Sequence, residues 1–163
     1  MVRIDRLQSA DLLLVIEFLS RLNSKIESYI GYVPTLFSEL QYALKYDVTL
    51  SIVLKRNGKI IGYMGIDLGE EAKIGELWGP FLEPGEDFSL VIEMREKLWE
   101  LFPQRLEDVH DVFSMNNTTA LMFMTSIDSE QRGTHHVFSL DRKKFSAYPS
   151  PWIIPYDDSY KSE

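Results

Sequence analysis

One stretch of this chain, residues 73–102, constrains the fold more than any other. Its first part, Lys73-Ile-Gly-Glu-Leu-Trp-Gly-Pro-Phe-Leu82, is apolar and aromatic and predicts a buried strand. Pro80 has no N–H to donate and Gly79 weakens pairing, which predicts a bulge or a point where this strand parts from its neighbour. After a short turn, Ser89 is the predicted N-cap of a helix, whose apolar face comprises Leu90, Val91, Met94, Leu98, Leu101 and Phe102. A strand, a turn and a helix N-terminus commonly bind an anion.

The remaining periodicities predict one domain at residues 1–145 and a tail or linker, rich in proline and aromatic residues, at 146–163. Asn57-Gly58 is typical of a type I′ hairpin turn, because both positions of that turn need positive φ. Asn117 is the predicted N-cap of a late helix. Further strands are predicted at Val2–Leu7, Val48–Lys55, Lys59–Leu68, Asp108–Met115 and Thr134–Leu140. The order predicts an α+β, three-layer fold, in which four helices flank a mixed, mostly antiparallel sheet.

Composition excludes several classes of function. The formal net charge of −8 opposes general binding to nucleic acid or to an anionic membrane. There is no cysteine, so disulfides, thiolate nucleophiles and cysteine metal sites are excluded. His135 and His136 point to opposite faces of their predicted strand, and no spacing resembles a zinc pair, so no metal site is expected. The sequence shows neither a membrane span nor a signal-peptide pattern, and we expect a cytoplasmic protein.

The element order and three short motifs resemble the GNAT superfamily of N-acetyltransferases. The motifs are a hairpin, Lys55-Arg-Asn-Gly-Lys-Ile-Ile-Gly62, a central strand and its exit, Leu77-Trp-Gly-Pro-Phe-Leu-Glu-Pro84, and a helix start, Asn117-Thr-Thr-Ala120. The resemblance covers residues 2–141. It implies acetyl-CoA as cofactor and a small-molecule or peptide amine as acceptor. Backbone groups of Leu82 would meet the acyl carbonyl, and the remaining cofactor-binding candidates are Gly85, Glu86, Asp87, Phe88, Ser89 and Asn117.

The chain departs from the family at the loop that cradles the pyrophosphate. The family has Gln or Arg followed by two small residues there, and these positions fall on Asp87, Leu90 and Ile92. Glu83 and Glu86 add two more carboxylates, although acidic residues are also ordinary in the first turn of a helix. The family's tyrosine acid falls on Met124, which has no proton to give. These departures predict a degenerate acetyl-CoA site.

Glu76 is the candidate general base, since some family members carry a glutamate at this place on the central strand. Alternation puts Glu76 and Trp78 on one face, and desolvation beside the indole would raise the pKa of the carboxyl. The alternative is a carboxylate in solvent or in an ion pair. Tyr29, Tyr32 and Trp78 are the candidates for acceptor binding, and the tyrosines are also compatible with a core role.

Two functions therefore stay open. One is a GNAT-type N-acyltransferase whose acyl transfer is weak or atypical. The other is a non-catalytic GNAT-fold domain that binds or packs against a partner. The apolar tail predicts contact with another surface, such as a second copy or a tandem domain.

Overall fold

The described part of the chain contains five strands and four α-helices, in the order that the sequence predicted. The computed structural model describes residues 2–31, 33–34, 36–46, 48–68, 73–102 and 106–134. The strands are β1 (Val2–Arg6), β2 (Thr49–Arg56), β3 (Lys59–Asp67), β4 (Ile74–Leu82) and β5 (Asp108–His110). The helices are α1 (Leu12–Asn23), α2 (Phe37–Lys45), α3 (Ser89–Trp99) and α4 (Thr118–Ser126). The predicted final strand, the tail and Tyr32 lie outside the described residues.

The sheet is open, and its strands follow one another in chain order from β1 to β5. The first four strands pair antiparallel, whereas β4 and β5 pair in parallel. The predicted mixed, mostly antiparallel sheet is therefore confirmed. Asn57 and Gly58 have φ of 51° and 78°, so the β2–β3 hairpin turns with positive φ at both positions as predicted.

Helices cover both faces of the sheet. On the first face, Leu19 of α1 and Leu40 of α2 belong to one buried cluster with sheet residues such as Tyr63. On the second face, Met94 of α3 and Phe123 of α4 belong to another. The apolar run of β4 serves both clusters, as expected for a strand buried on its two sides. Within the described ranges, none of the helices has the length and apolar character needed to cross a membrane.

By its internal contacts the chain divides into two units, Met1–Ser129 and Glu130–Glu163. All the named elements belong to the first unit. The second is described only at residues 130–134, and the predicted domain boundary at residue 145 stays a prediction.

Candidate functional site

Parallel pairing of β4 with β5 is short, and the two strands then separate. Its last pair is Glu76 with His110, although β4 continues beside β3 as far as Leu82. The separation therefore begins three residues before Gly79, earlier than the sequence predicted. The predicted strand Asp108–Met115 is also too long, because only Asp108–His110 is strand.

The chain leaves β4 because it takes a new partner. Phe113 forms an isolated antiparallel bridge with Ile30. The Gly31 N–H donates to Val112 O at 2.5 Å, and the Ser114 N–H donates to Tyr29 O at 3.0 Å. The segment after α1 thus takes the backbone hydrogen bonds that β4 would otherwise supply. This long-range exchange has no signal in local sequence.

Gly79 and Pro80 form the bulge that the sequence predicted, and it faces β3. Tyr63 pairs with Phe81 and Gly65 pairs with Trp78, so Met64 alone stands opposite the two residues between. Gly79 has φ of +135°, and an added Cβ would lie 3.0 Å from Tyr63 O. A side chain at this position would therefore strain the strand.

Glu76 occupies the middle of a row of polar residues across three strands. Its strand neighbours are Asp67 on β3 and His110 on β5. Partial burial raises the pKa of the Glu76 carboxyl, the charge of His110 lowers it, and Asp67 raises it. The direction is the one that the sequence predicted, and the role of Glu76 as a base stays a prediction.

Asp111, which the sequence reasoning passed over, lies one residue beyond the end of β5. Both of its carboxylate oxygens are buried and have no hydrogen-bond partner of good geometry among the described residues. Burial raises the pKa of Asp111 to about 8, the nearby Val112 N–H offsets this in part, and the charge of Glu76 adds to the rise. A buried group left unpaired costs about 1–3 kcal/mol. The predicted strand also contains Asp108 and His110, so nothing in the local sequence distinguished Asp111.

Trp78 lies two residues beyond Glu76 on the same face of β4 and is 6% exposed. Its indole Nε1 is also buried without a hydrogen-bond partner in the described part of the chain. Trp78 and Asp111 therefore flank the point where β4 and β5 separate.

The turn between β4 and α3 holds most of the candidate cofactor-binding residues. Leu82 pairs with Gly62 at the end of β4, and the Glu86 N–H donates to Glu83 O at 3.1 Å. Gly85 has φ of +88°, which favours glycine. Leu82 is six residues from Glu76, so the turn and the predicted base are about 20 Å apart along the strand.

The sequence predicted Ser89 as the N-cap of α3, and this prediction is wrong. The side chain that binds a free N–H of the first turn belongs to Asp87. Phe88 occupies the N-cap position and Ser89 is the first helical residue. Asp87 Oδ1 accepts a hydrogen bond of 2.8 Å from the Ser89 N–H. That bond, with a contribution from the Ser89 hydroxyl, lowers the pKa of the exposed Asp87 carboxyl. The anion-binding end of the helix thus carries an anion from the chain itself.

The other two carboxylates of the turn pair with arginines from distant elements. Glu83 accepts two hydrogen bonds from Arg21 of α1, at 3.0 and 2.5 Å. Glu86 accepts one of 2.6 Å from Arg56 at the end of β2. The exposed Arg21–Glu83 pair contributes about 0–1 kcal/mol, whereas Glu86 in the other pair is mostly buried. Their main consequence is that both guanidinium groups are held by carboxylates.

Asn117 caps α4 as predicted and also joins it to the segment after α1. Its Oδ1 accepts from the Ala120 N–H at 3.0 Å, and its Nδ2 donates to Tyr29 O at 3.4 Å. The residue is 1% exposed. Both ends of the amide are therefore engaged within the protein. Cofactor binding by Asn117 stays a prediction, as does acceptor binding by Tyr29, whose side chain is partly exposed.

No group of three or more His, Asp or Glu side chains within the described residues could hold a metal ion. The structure thus pairs Glu76 with His110 and places Trp78 and Asp111 within two residues of that pair along their own segments. It gathers Leu82 and residues 83–89 at the far end of β4. These two places are the candidate site of this α+β fold.

No family model matches the chain, and no curated protein matches its sequence. Solved structures match its fold. AAC(6')-Iy, in complex with the bisubstrate analogue CoA-S-monomethyl-acetylneamine, is 14% identical, with 87% of this chain and 99% of that one covered at a TM-score of 0.60. A predicted acetyltransferase of Clostridium acetobutylicum, solved with acetyl-CoA, is 12% identical, with 90% and 100% covered at a TM-score of 0.59.

A third solved structure that matches the fold is described as a member of the GNAT family. It is an acetyltransferase of the GNAT family from Staphylococcus aureus Mu50, 12% identical, with 78% of this chain and 83% of that one covered at a TM-score of 0.59. The chain has the fold of the GNAT acetyltransferases.

Proposed function

We propose that this chain is a GNAT-fold protein that does not bind acyl-CoA in the usual pyrophosphate mode. It acts as a binding module for an amine-bearing ligand, and any N-acyl transfer by it is weak or atypical. The observation that carries the proposal is the hydrogen bond from the Ser89 N–H to the Asp87 carboxylate. This carboxylate occupies the end of α3 where a phosphate would be held.

Electrostatics support this proposal. Two like charges about 4 Å apart repel by ~1 kcal/mol in water and ~4 kcal/mol near a protein surface. Micromolar affinity amounts to only ~8 kcal/mol, so even one such repulsion near a protein surface would weaken it greatly. Arg21 and Arg56 compensate Glu83 and Glu86, which leaves the charge of Asp87 at the helix end and neither arginine free to bind a phosphate.

Packing gives independent support. The usual mode needs small residues at the start of the helix so that backbone amides approach the phosphates closely. At the corresponding positions this chain has Leu90 and Ile92, and Leu90 packs against the cluster on the second face of the sheet. A pyrophosphate would meet side chains where the family has little or none.

The test is a triple variant, E83Q/E86Q/D87N, titrated with inorganic pyrophosphate and with CoA by calorimetry. Asn is as good an N-cap as Asp, so the helix start is kept. Removing the three charges should strengthen pyrophosphate binding by at least ~10-fold, equivalent to ~1.4 kcal/mol. The control E17Q/E93Q/D128N makes the same change in net charge at exposed positions outside residues 83–89. Equal gains in both variants would contradict the proposal, because the effect would then be one of net charge alone.

A second candidate function is slow N-acyl transfer, with Glu76 as base. The raised pKa of Glu76 favours it, since a base working near neutrality needs a pKa close to the ambient pH. Against it stands Met124, which cannot protonate a leaving thiolate. Acetylation of amines that is lost in Glu76→Gln but kept in Glu93→Gln would support this candidate. A cytoplasmic location is part of either proposal.

A further inference from the structure

The outer edge of the sheet is β1, which pairs only with β2 in the described part of the chain. The Leu7 N–H donates to Ser51 O at 2.8 Å, so the backbone groups of Leu7 face β2. Positions that face a neighbour alternate along an antiparallel strand, so Asp5 and Arg3 face β2 as well. The N–H and C=O of Ile4, which lies between them, therefore point away from β2 toward the outer edge.

The side chains of β1 divide between the two faces of the sheet. Val2 and Ile4 are half-buried and pack against the cluster on the second face. Arg3 and Asp5 alternate with them and lie on the opposite face, where Arg3 Nη2 is 2.9 Å from Asp5 Oδ2. Lys55 of β2 also approaches Asp5, with 4.0 Å between Nζ and Oδ2. The outer strand thus carries apolar side chains on one face and charges of both signs on the other.

Charged side chains on an edge strand often prevent pairing with another strand, but in β1 their order favours one register. Two copies of β1 that run antiparallel about a two-fold axis at Ile4 place Arg3 of each copy opposite Asp5 of the other. Opposite charges at directly facing positions stabilise a strand pair. An axis at Arg3 or at Asp5 would instead place two like charges directly opposite each other, which is destabilising.

We propose that β1 pairs with the β1 strand of a second copy of this chain, antiparallel and centred on Ile4, so that two five-stranded sheets become continuous. The two Ile4 residues exchange backbone hydrogen bonds, and their side chains meet on the second face. The occupant is a second copy because the charge order of the strand complements its own reverse. The inference goes beyond the proposed function, since it involves neither the turn after β4 nor a ligand.

The strength of such a contact is limited by the length of the strand. β1 has five residues, and one short strand pair buries less surface than the ~1,200–2,000 Å² of a typical stable interface. The dimer should therefore be reversible and depend on protein concentration.

The experiment is sedimentation velocity of the full chain over a series of concentrations, with charge-reversed variants. Arg3→Asp and Asp5→Arg each place like charges at both facing pairs. Each variant should weaken dimerisation at least ~10-fold, a loss of ~1.4 kcal/mol. The double variant R3D/D5R restores opposite charges at both pairs and should dimerise about as well as the wild type.

The control is Lys25→Asp, which makes the same change in net charge as Arg3→Asp at an exposed residue after α1. It should leave the dimerisation constant unchanged. The melting temperature of every variant is followed, so that a loss of dimer is not confused with a loss of fold.

A second measurement locates the contact. The amide N–H of Ile4 points to the outer edge, so its hydrogen exchange, measured by NMR, should slow as the wild-type concentration rises. The double variant should show the same slowing, and Arg3→Asp should not. If a single reversal does not fold, the Ile4 exchange in the wild type still decides the question.

Three results would overturn the proposal. The first is a wild type that stays monomeric at every concentration. The second is a dimer that neither single reversal weakens. The third is a dimer in which exchange of the Ile4 amide does not depend on concentration, because the contact would then lie on another surface, such as residues 146–163.

Discussion

Asp87 accepts a hydrogen bond from the backbone N–H of Ser89 at 2.8 Å, so the positive end of α3 is occupied by a charge from the same chain. The resemblance to the GNAT superfamily implies that this end of the helix would face the cofactor. Here the neighbouring carboxylates, Glu83 and Glu86, hold two arginines as well. The turn is thus a set of internal ion pairs and not an open cradle.

The first prediction concerns Asp111 and the pH dependence of stability. Its folded-state pKa of about 8 lies above the ordinary 3.8. The folded state therefore holds the proton more tightly, and stability falls as pH rises from about 4 to about 8. The slope from this group is at most ~1.4 kcal/mol per pH unit. Urea denaturation gives the free energy of unfolding of the wild type and of Asp111→Asn. The value for the variant should rise relative to that of the wild type as the pH increases from about 4 to about 8.

The control for this measurement is Asp128→Asn, because Asp128 is exposed and has φ of +53°, which asparagine tolerates. Its stability difference from the wild type should not change with pH. If the Asp111→Asn difference is equally flat, the carboxyl is not buried as described.

The second prediction concerns Glu76. Burial and Asp67 raise its pKa while His110 lowers it, so NMR titration should give a pKa above the ordinary range of ~4.3. Replacing His110 by glutamine should raise the pKa further by removing the nearby cation. A normal pKa that does not respond to this change would make Glu76 a simple surface carboxylate.

The third prediction comes from the sequence after residue 145, which lies outside the described residues. Trp152, Ile153, Ile154 and Tyr156 are too apolar for a free linker. Removal of residues 146–163 should lower the melting temperature or dissociate an oligomer. Calorimetry and sedimentation would check the two effects, and no change in either would remove the case for a tail contact.

Local sequence patterns predicted many elements of the fold correctly. Asn57-Gly58 specifies its turn through positive φ, Asn117 caps its helix, and the period of α3 places Val91, Met94 and Leu98 in the core. These signals operate over a few residues, which is why a sequence reveals them.

What sequence reasoning missed depends on contacts between distant residues. Arg21 and Glu83 are 62 positions apart, and nothing local pairs them. The exchange of partners after His110 depends on the position of Tyr29 and Gly31. The burial of Asp111 follows from that exchange, so its perturbed carboxyl was invisible in the sequence.

The central claim concerns cofactor binding, and a gain-of-function variant tests its mechanism. Asp87→Arg combined with Leu90→Gly and Ile92→Gly restores the charge and the small residues of the family loop. This variant should bind acetyl-CoA more tightly than the wild type. Each glycine costs about 1 kcal/mol of helix stability relative to alanine, so its melting temperature must be followed as well. If a folded variant binds acetyl-CoA no better than the wild type, Asp87, Leu90 and Ile92 do not correspond to the family's loop positions.

The most direct measurement is calorimetric titration of the unmodified protein with acetyl-CoA. The occupied helix end and the side chains of Leu90 and Ile92 predict a dissociation constant well above micromolar, which corresponds to less than ~8 kcal/mol of binding free energy. A dissociation constant at or below micromolar would contradict the account, and slow N-acyl transfer would then become the better function.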